Sequence, residues 1–182
     1  MPYLNEAMLY QFQWGYKKQG RSRKEFDAWA AKELRPIVNR VAEQSIRQKI
    51  LQPAASYGYW KAAAQGNDLI LFDENGTSEA ARFSLPRQDK KDGLCIADFV
   101  QDVDADQRSV VGLQVVTMGE RVSEAAREIF EADKYQDYLY LHGFGIEMTE
   151  ALAEYVHKRI RTELGFGDED AREPAKILKQ NY

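Results

Sequence analysis

The amino-acid sequence predicts an α+β fold in which long helices flank a central antiparallel or mixed sheet. Apolar residues recur at steps of three and four from Ser22 to Ile50 and again from Met148 to Leu164, the spacing of one buried helix face. Between these segments, from Ser56 to Val116, the apolar residues come in short runs separated by Gly66-Asn67 and Asn75-Gly76. Helices first, strands in the middle and helices last is the α+β order, and it disfavours a doubly wound sheet.

Each element follows from local chemistry. Asn5 to Lys18 is rich in aromatics, with Leu9, Phe12 and Tyr16 at helical spacing and Gly20 as a stop, which predicts a short docking helix. From Ser22, Phe26, Trp29, Ala30, Leu34, Val38, Val41, Ala42, Ile46 and Ile50 form one buried face. Pro36 either kinks this helix or stands in the first turn of a new one, because it lacks an N–H and crowds the preceding turn. Gln52-Pro53 ends it. Tyr57 to Ala63, Leu69 to Phe72 and Ala81 to Leu85 are predicted antiparallel strands, and Asn75-Gly76 suits a tight hairpin because both residues tolerate positive φ. Leu94 to Val100 and Val110 to Val116 are apolar runs of strand length, the second continuous enough for a central strand. Ser123 is a candidate cap for a helix ending near Ala132, with Ala126, Ile129 and Phe130 facing inward. Lys134 to Leu164 is a long helix in which Gly143 and Gly145 imply a kink or close packing. Its later stripe is Met148, Leu152, Tyr155, Val156, Ile160 and Leu164. A loop follows from Gly165 to Asp170, and Pro174 opens a last helical turn.

Composition narrows the function classes. A length of 182 residues suits one domain with a substantial core, and a formal net charge of -4 from interspersed acids and bases offers no field for DNA or RNA. The single cysteine excludes a disulfide framework or a Cys-based zinc site. It fits a reducing compartment. The first residues lack the basic and apolar regions of a secretory signal, and no run is apolar for bilayer length, so a cytoplasmic protein with no membrane partner is expected.

The sites with chemical potential are few. Glu150, Glu154, His157 and Arg161 share one helix face, either a wall able to receive an ammonium or sulfonium group or a solvated face of helical ion pairs. Glu154-x-x-His157 has the spacing of carboxylate-bridged metal bundles, but no second copy occurs, and no metal site is expected. Cys95 lies among apolar neighbours and reads as buried and inert, with Asp98 three residues on as a turn cap or a buried hydrogen-bond anchor. His142-Gly143-Phe144-Gly145 lacks the preceding strand and third glycine of a phosphate loop.

Three strings taken together are more specific: Leu94-Cys95-Ile96-Ala97-Asp98-Phe99-Val100, Val111-Gly112-Leu113-Gln114-Val115-Val116-Thr117-Met118-Gly119, and Glu150-Ala151-Leu152-Ala153-Glu154-Tyr155-Val156-His157-Lys158-Arg159-Ile160-Arg161. In this order and spacing the chain resembles, from about Leu4 to Tyr182, the activation domain of cobalamin-dependent methionine synthase, with its Cys-x-Ala-Asp-Phe-Val strand and Ala-Glu-Tyr-x-His helix. The resemblance implies a C-shaped α+β domain that binds S-adenosylmethionine along its inner edge. It also implies packing over a corrinoid-binding domain whose cobalamin has been oxidised, with a flavodoxin-type protein as electron donor.

Carried onto this sequence, the resemblance implies Glu150 as an acidic ligand residue. An expected early aspartate falls at Asn5 or Glu6, where Asn5 can hydrogen-bond but brings no charge, and Gln180 replaces an acid just before the binding loop. It further implies that residues 1–182 are most of a single domain ending just before an Arg-x-x-x-Gly-Tyr-Pro-Ala-Cys-Pro loop that supplies much of the ligand contact. The corrinoid, homocysteine and folate modules are absent from the sequence, so no catalytic residue is assigned and the chain is not expected to transfer a methyl group by itself. The competing expectation is a non-enzymatic docking module that contacts the corrinoid domain or flavodoxin without binding S-adenosylmethionine.

Overall fold

The computed structural model describes residues 2–171, so the predicted turn at Pro174 lies outside the described residues. The chain divides into two compact units, one made of residues 1–56 with 114–182 and the other of residues 57–113.

In the first unit, Asn5 caps α1 (Glu6–Met8), its Oδ1 accepting from the Met8 N–H at 3.2 Å. The helix continues without a break as a π-helical turn, Leu9–Gln13, and the N–H of Trp14 closes on the carbonyl of Leu9. The expected helix to Lys18 therefore stops earlier, where Gly15 takes φ +74°. The extra residue in the π turn puts Leu9, Tyr10 and Trp14 in the core and leaves Phe12 72% exposed.

Ser22 starts α2 (Arg23–Glu33) through a reciprocal capping box with Glu25. Leu34 separates it from α3 (Arg35–Arg47), with Pro36 in the first turn of the new helix. Phe26, Ala30, Leu34, Val38 and Val41 are buried as expected, but Ile46 is 79% exposed. The row Val38, Val41, Ser45 continues the buried face, and Ile46 lies about 100° of helix rotation beyond Ser45. Lys49 then adopts φ +53°, returning the chain so that Ile50 reaches the core.

The same unit holds α4 (Arg121–Glu131) and α5 (Tyr135–Glu163). Glu120, not Ser123, occupies the N-cap position of α4, and Phe130 is half exposed while Ala125 and Ala126 are buried. Helix α5 runs unbroken through Gly143 and Gly145, which settles their role as close packing. A Cβ on Gly143 would lie 2.7 Å from the Gln13 Cβ, and one on Gly145 would lie 2.9 Å from a Val122 methyl. Along the later half, Ala151, Val156 and Ile160 are buried, whereas Tyr155, expected in the stripe, is 51% exposed. Tyr155 instead meets Tyr3 edge to face at a centroid distance of 6.1 Å.

The strands are β1 (Ala54–Gln65), β2 (Asp68–Phe72), β3 (Glu79–Ser84) and β4 (Ser109–Thr117), ordered β3-β2-β1-β4. The β1–β2 pairing is antiparallel, with Gln65 opposite Asp68 across the Gly66-Asn67 turn. β2 and β3 are also antiparallel, and the Asp73 carboxylate gathers the Thr77 and Ser78 N–H groups in the Asn75-Gly76 turn between them. Two strand expectations change. β4 stands at an end of the strand order and not at its centre, which is why Val110 and Val115 are 54% and 74% exposed. The run Leu94 to Val100 is no strand but carries a 3-10 turn, Ile96–Phe99. The Asp98 carboxylate folds back onto the Cys95 N–H at 2.9 Å and takes a two-pronged ion pair from Arg87 at 2.7 and 2.8 Å. Cys95 and Ala97 are thereby buried, and Ile96 and Phe99 point outward.

Candidate functional site

The N-terminal turns and α5 together enclose an acidic cleft inside the first unit. Its walls come from Tyr3, Asn5, Met8 and Gln13 on one side and from Ile146, Glu147, Glu150 and Glu154 on the other, around a volume of about 250 Å³. The turn at Leu9–Gln13 carries Gln13 over α5, and Gly143 permits the approach because any Cβ there would strike Gln13 and Trp14. Three carboxylates and two amides line the cleft, with no Lys, Arg or His among the lining residues.

The deepest acid is Glu147, which is 4% exposed. Its Oε1 accepts from Gln13 Nε2 at 3.1 Å. Burial pushes its carboxyl above the ordinary value of 4.5, the nearby Glu150 charge adds to the rise, and the Gln13 hydrogen bond opposes it. Glu150, one turn further on, is exposed at the mouth, and Glu154 is half-buried. A cation entering here would meet negative charge on one wall and be relieved of little competition from positive side chains. The volume is below the roughly 300–1,000 Å³ usual for whole drug-sized ligands, so it suits the charged end of a ligand.

The four site residues expected from sequence separate. Asn5 and Glu150 come together in the cleft. Glu6 does not line it, because its carboxylate forms an ion pair with Arg35 at the start of α3. Gln180 lies outside the described residues. Of the polar face predicted on α5, Glu150 and Glu154 reach the cleft, while Arg161 turns to the buried Asp170, its Nε donating to Oδ1 at 2.6 Å. Sequence reasoning missed Glu147 and Gln13. The signal for Glu147 was its place three residues before Glu150, on the same helix face.

The chain matches the family described as "Vitamin B12 dependent methionine synthase, activation domain" over residues 6–182. It belongs to that family. Among related proteins, it is 37% identical over 188 residues to the methionine synthase of Mycobacterium tuberculosis (strain ATCC 25618 / H37Rv), covering 98% of this chain and 16% of that protein. It is likewise 37% identical over 172 residues to the methionine synthase of Mycobacterium leprae (strain TN), covering 90% of this chain and 14% of the relative. The chain thus spans about a sixth of the length of these relatives. Its fold is similar to the crystal structure of the MetH reactivation domain bound to AdoHcy, with a TM-score of 0.79 at 20% identity, over 100% of this chain and 57% of that one. The likeness supports the α+β class read from the sequence. Among the described residues, no helix is long and apolar enough to cross a membrane.

Proposed function

We propose that this chain is an S-adenosylmethionine-binding reactivation module, which within a cobalamin-dependent methionine synthase supports reductive methylation of cob(II)alamin during methionine biosynthesis. The observation that carries the reading is the acidic cleft, where Asn5 and Glu150 meet with Glu147 and Glu154 and no cationic side chain lines the wall. S-adenosylmethionine is a cation at its sulfonium and its ammonium, and it supplies an electrophilic methyl group when bound. The donor set fits the ammonium end: Glu150 at the mouth provides charge, and Asn5 provides an amide beside it. Family membership and the AdoHcy named for the similar reactivation domain support the same ligand class.

The wider assignments belong to the same proposal. They are a corrinoid-binding domain that carries cobalamin as partner, a flavodoxin-type electron donor, methyltransferase activity in the whole enzyme, and a cytoplasmic setting. Treating residues 1–182 as one functional domain, completed by an Arg-x-x-x-Gly-Tyr-Pro-Ala-Cys-Pro loop and with Gln180 beside it, is part of it too. Titration calorimetry with S-adenosylmethionine tests the ligand, using this chain and a version extended by such a loop. The extended chain should show saturable one-to-one binding, and this chain should bind more weakly by about 2–5 kcal/mol, the cost of losing a charged hydrogen-bonding arginine. Absence of binding by the extended chain overturns the ligand assignment.

A further inference from the structure

Asn5 reaches the cleft from the N-terminus of α1, a helix of three residues. So short a helix does not hold its own direction, because the first turn fixes several dihedrals for a single hydrogen bond. The Asn5 side chain is committed to that turn, its Oδ1 accepting from the Met8 N–H at 3.2 Å, so whatever sets the tilt of α1 also sets where the Asn5 amide stands. Apolar burial does not fix the tilt alone. Leu4 and Leu9 are buried on either side of the turn, but α1 itself has no buried residue. Glu6, the first residue of α1, instead forms an ion pair with Arg35, the first residue of α3. The Arg35 backbone is fixed on both sides, by the buried Leu34 before it and by the locked φ of Pro36 after it. The buried Tyr10 faces the same pair: burial first and the Glu6 charge second push its phenol up to about 12, and Arg35 opposes the rise. Neither Glu6 nor Arg35 lines the cleft.

We propose that Arg35 is a positioning residue of the cleft: through its ion pair with Glu6 it holds α1 at the tilt that presents the Asn5 amide beside Glu150. The proposal rests on the S-adenosylmethionine reading for the ligand, and it adds a residue that acts without touching that ligand. The sign of its effect separates it from simple electrostatics. Arg35 is a cation, so through space it opposes a cationic ligand in the cleft, and its removal by that route alone would strengthen binding. Removal of the Glu6 charge by the same route would weaken binding. Positioning predicts instead that loss of either partner weakens binding by the same factor, because either loss frees the same short helix. It also predicts that the effect of Arg35 runs through Asn5, so the two do not add.

In the loop-extended chain, titration calorimetry should find S-adenosylmethionine bound about fivefold more weakly by Arg35→Gln, by Glu6→Gln and by the double variant alike, the scale of one partly exposed ion pair. With Asn5→Ala already in place, Arg35→Gln should cause no further loss. Tighter binding by Arg35→Gln overturns the proposal in favour of plain charge, and unchanged affinity overturns it outright. A full additional loss in the Asn5→Ala background also overturns it, because a general loosening of the fold would add in that way. A second measurement needs no ligand. Exchange of the Met8 N–H with water, followed by NMR, should be faster in Arg35→Gln than in the wild type, since Asn5 Oδ1 holds that N–H, while the amides of α2 keep their rates. Equal Met8 exchange overturns the tether. If the loop-extended wild type does not bind S-adenosylmethionine and Met8 exchange still rises in Arg35→Gln, the ligand reading falls and the hold of Arg35 on α1 stands.

Discussion

Gly143→Ala places a methyl group where the N-terminal turns rest on α5. In an unconstrained helix interior the substitution would stabilise by about 1 kcal/mol, because glycine loses more backbone freedom on folding than alanine. Here the added Cβ lies 2.7 Å from the Cβ of Gln13 and 3.0 Å from the Trp14 ring. The first contact is the worse one to relieve, since a Cβ is fixed to its backbone and cannot swing aside like the end of a long side chain. The Leu9–Gln13 turn must shift by some tenths of an ångström, and overpacking of this kind costs about 1–3 kcal/mol. The balance is a net loss of about 0–2 kcal/mol, set by the difference of those two effects. The same shift draws Gln13 Nε2 away from Glu147, so the cleft is loosened along with the core. Urea denaturation at neutral pH reads the first effect, and the affinity of the loop-extended chain for S-adenosylmethionine reads the second. A gain of about 1 kcal/mol, the full helix-propensity benefit, would refute the packing argument. A stability loss with no change in affinity would refute the link from Gly143 to the site.

Further substitutions test other parts of the account. In the loop-extended chain, Glu150→Gln should weaken S-adenosylmethionine binding by roughly 1–3 kcal/mol with little change in Tm, the range for losing a charged hydrogen-bond partner. Glu154→Gln should weaken it less, because Glu150, not Glu154, is electrostatically coupled to the buried Glu147; calorimetry that finds the larger loss at Glu154 places the site one turn too early. Asp98 is held down to about 2 by the Arg87 ion pair first and the Cys95 N–H second, from an ordinary 3.8. Its folded-state pKa is depressed, so its stabilisation is present above 3.8 and lost as pH falls through about 2. The stability lead of the wild type over Asp98→Asn, followed by circular dichroism, should shrink across that window and not at higher pH. Ser22→Ala removes one half of the capping box on α2 and should cost about 1 kcal/mol in chemical denaturation, with ligand affinity unaffected.

The features that the sequence made legible are those with a local cause. Ser22 with Glu25, Pro36 in a first turn, and Gly66-Asn67 and Asn75-Gly76 between strands each fix the chain through neighbours within a few residues. The alternation of helices and strands followed from these signals. Features decided by distant partners were harder to read. Leu94 to Val100 has the apolar texture of a strand, but Arg87 and the Cys95 N–H both claim Asp98 and wind the segment into a 3-10 turn. Val110 to Val116 looks central because it is apolar throughout, yet position in a sheet depends on which strands pair on either side. Ile46 and Tyr155 match a loose three-or-four spacing, while the buried rows pass through Ser45 and Val156 instead. At the site, the pairing of Asn5 with Glu150 emerged from the family resemblance, and the cleft brings the two together. Glu6 was drawn off by Arg35, and Glu147 stayed hidden because its burial depends on Gln13, 134 positions away in sequence.

The central claim is that a cationic nucleoside seats its charged end between the N-terminal turns and α5. The most direct measurement is a backbone amide NMR titration of the loop-extended chain with S-adenosylmethionine, mapping which N–H signals move. The account predicts that the largest saturable shifts fall on Asn5, Met8, Gln13, Glu147 and Glu150, the residues around the acidic cleft, and that in Glu150→Gln they move together to a higher ligand concentration. Saturable shifts confined to residues outside those cleft walls, with these five unmoved, would contradict it.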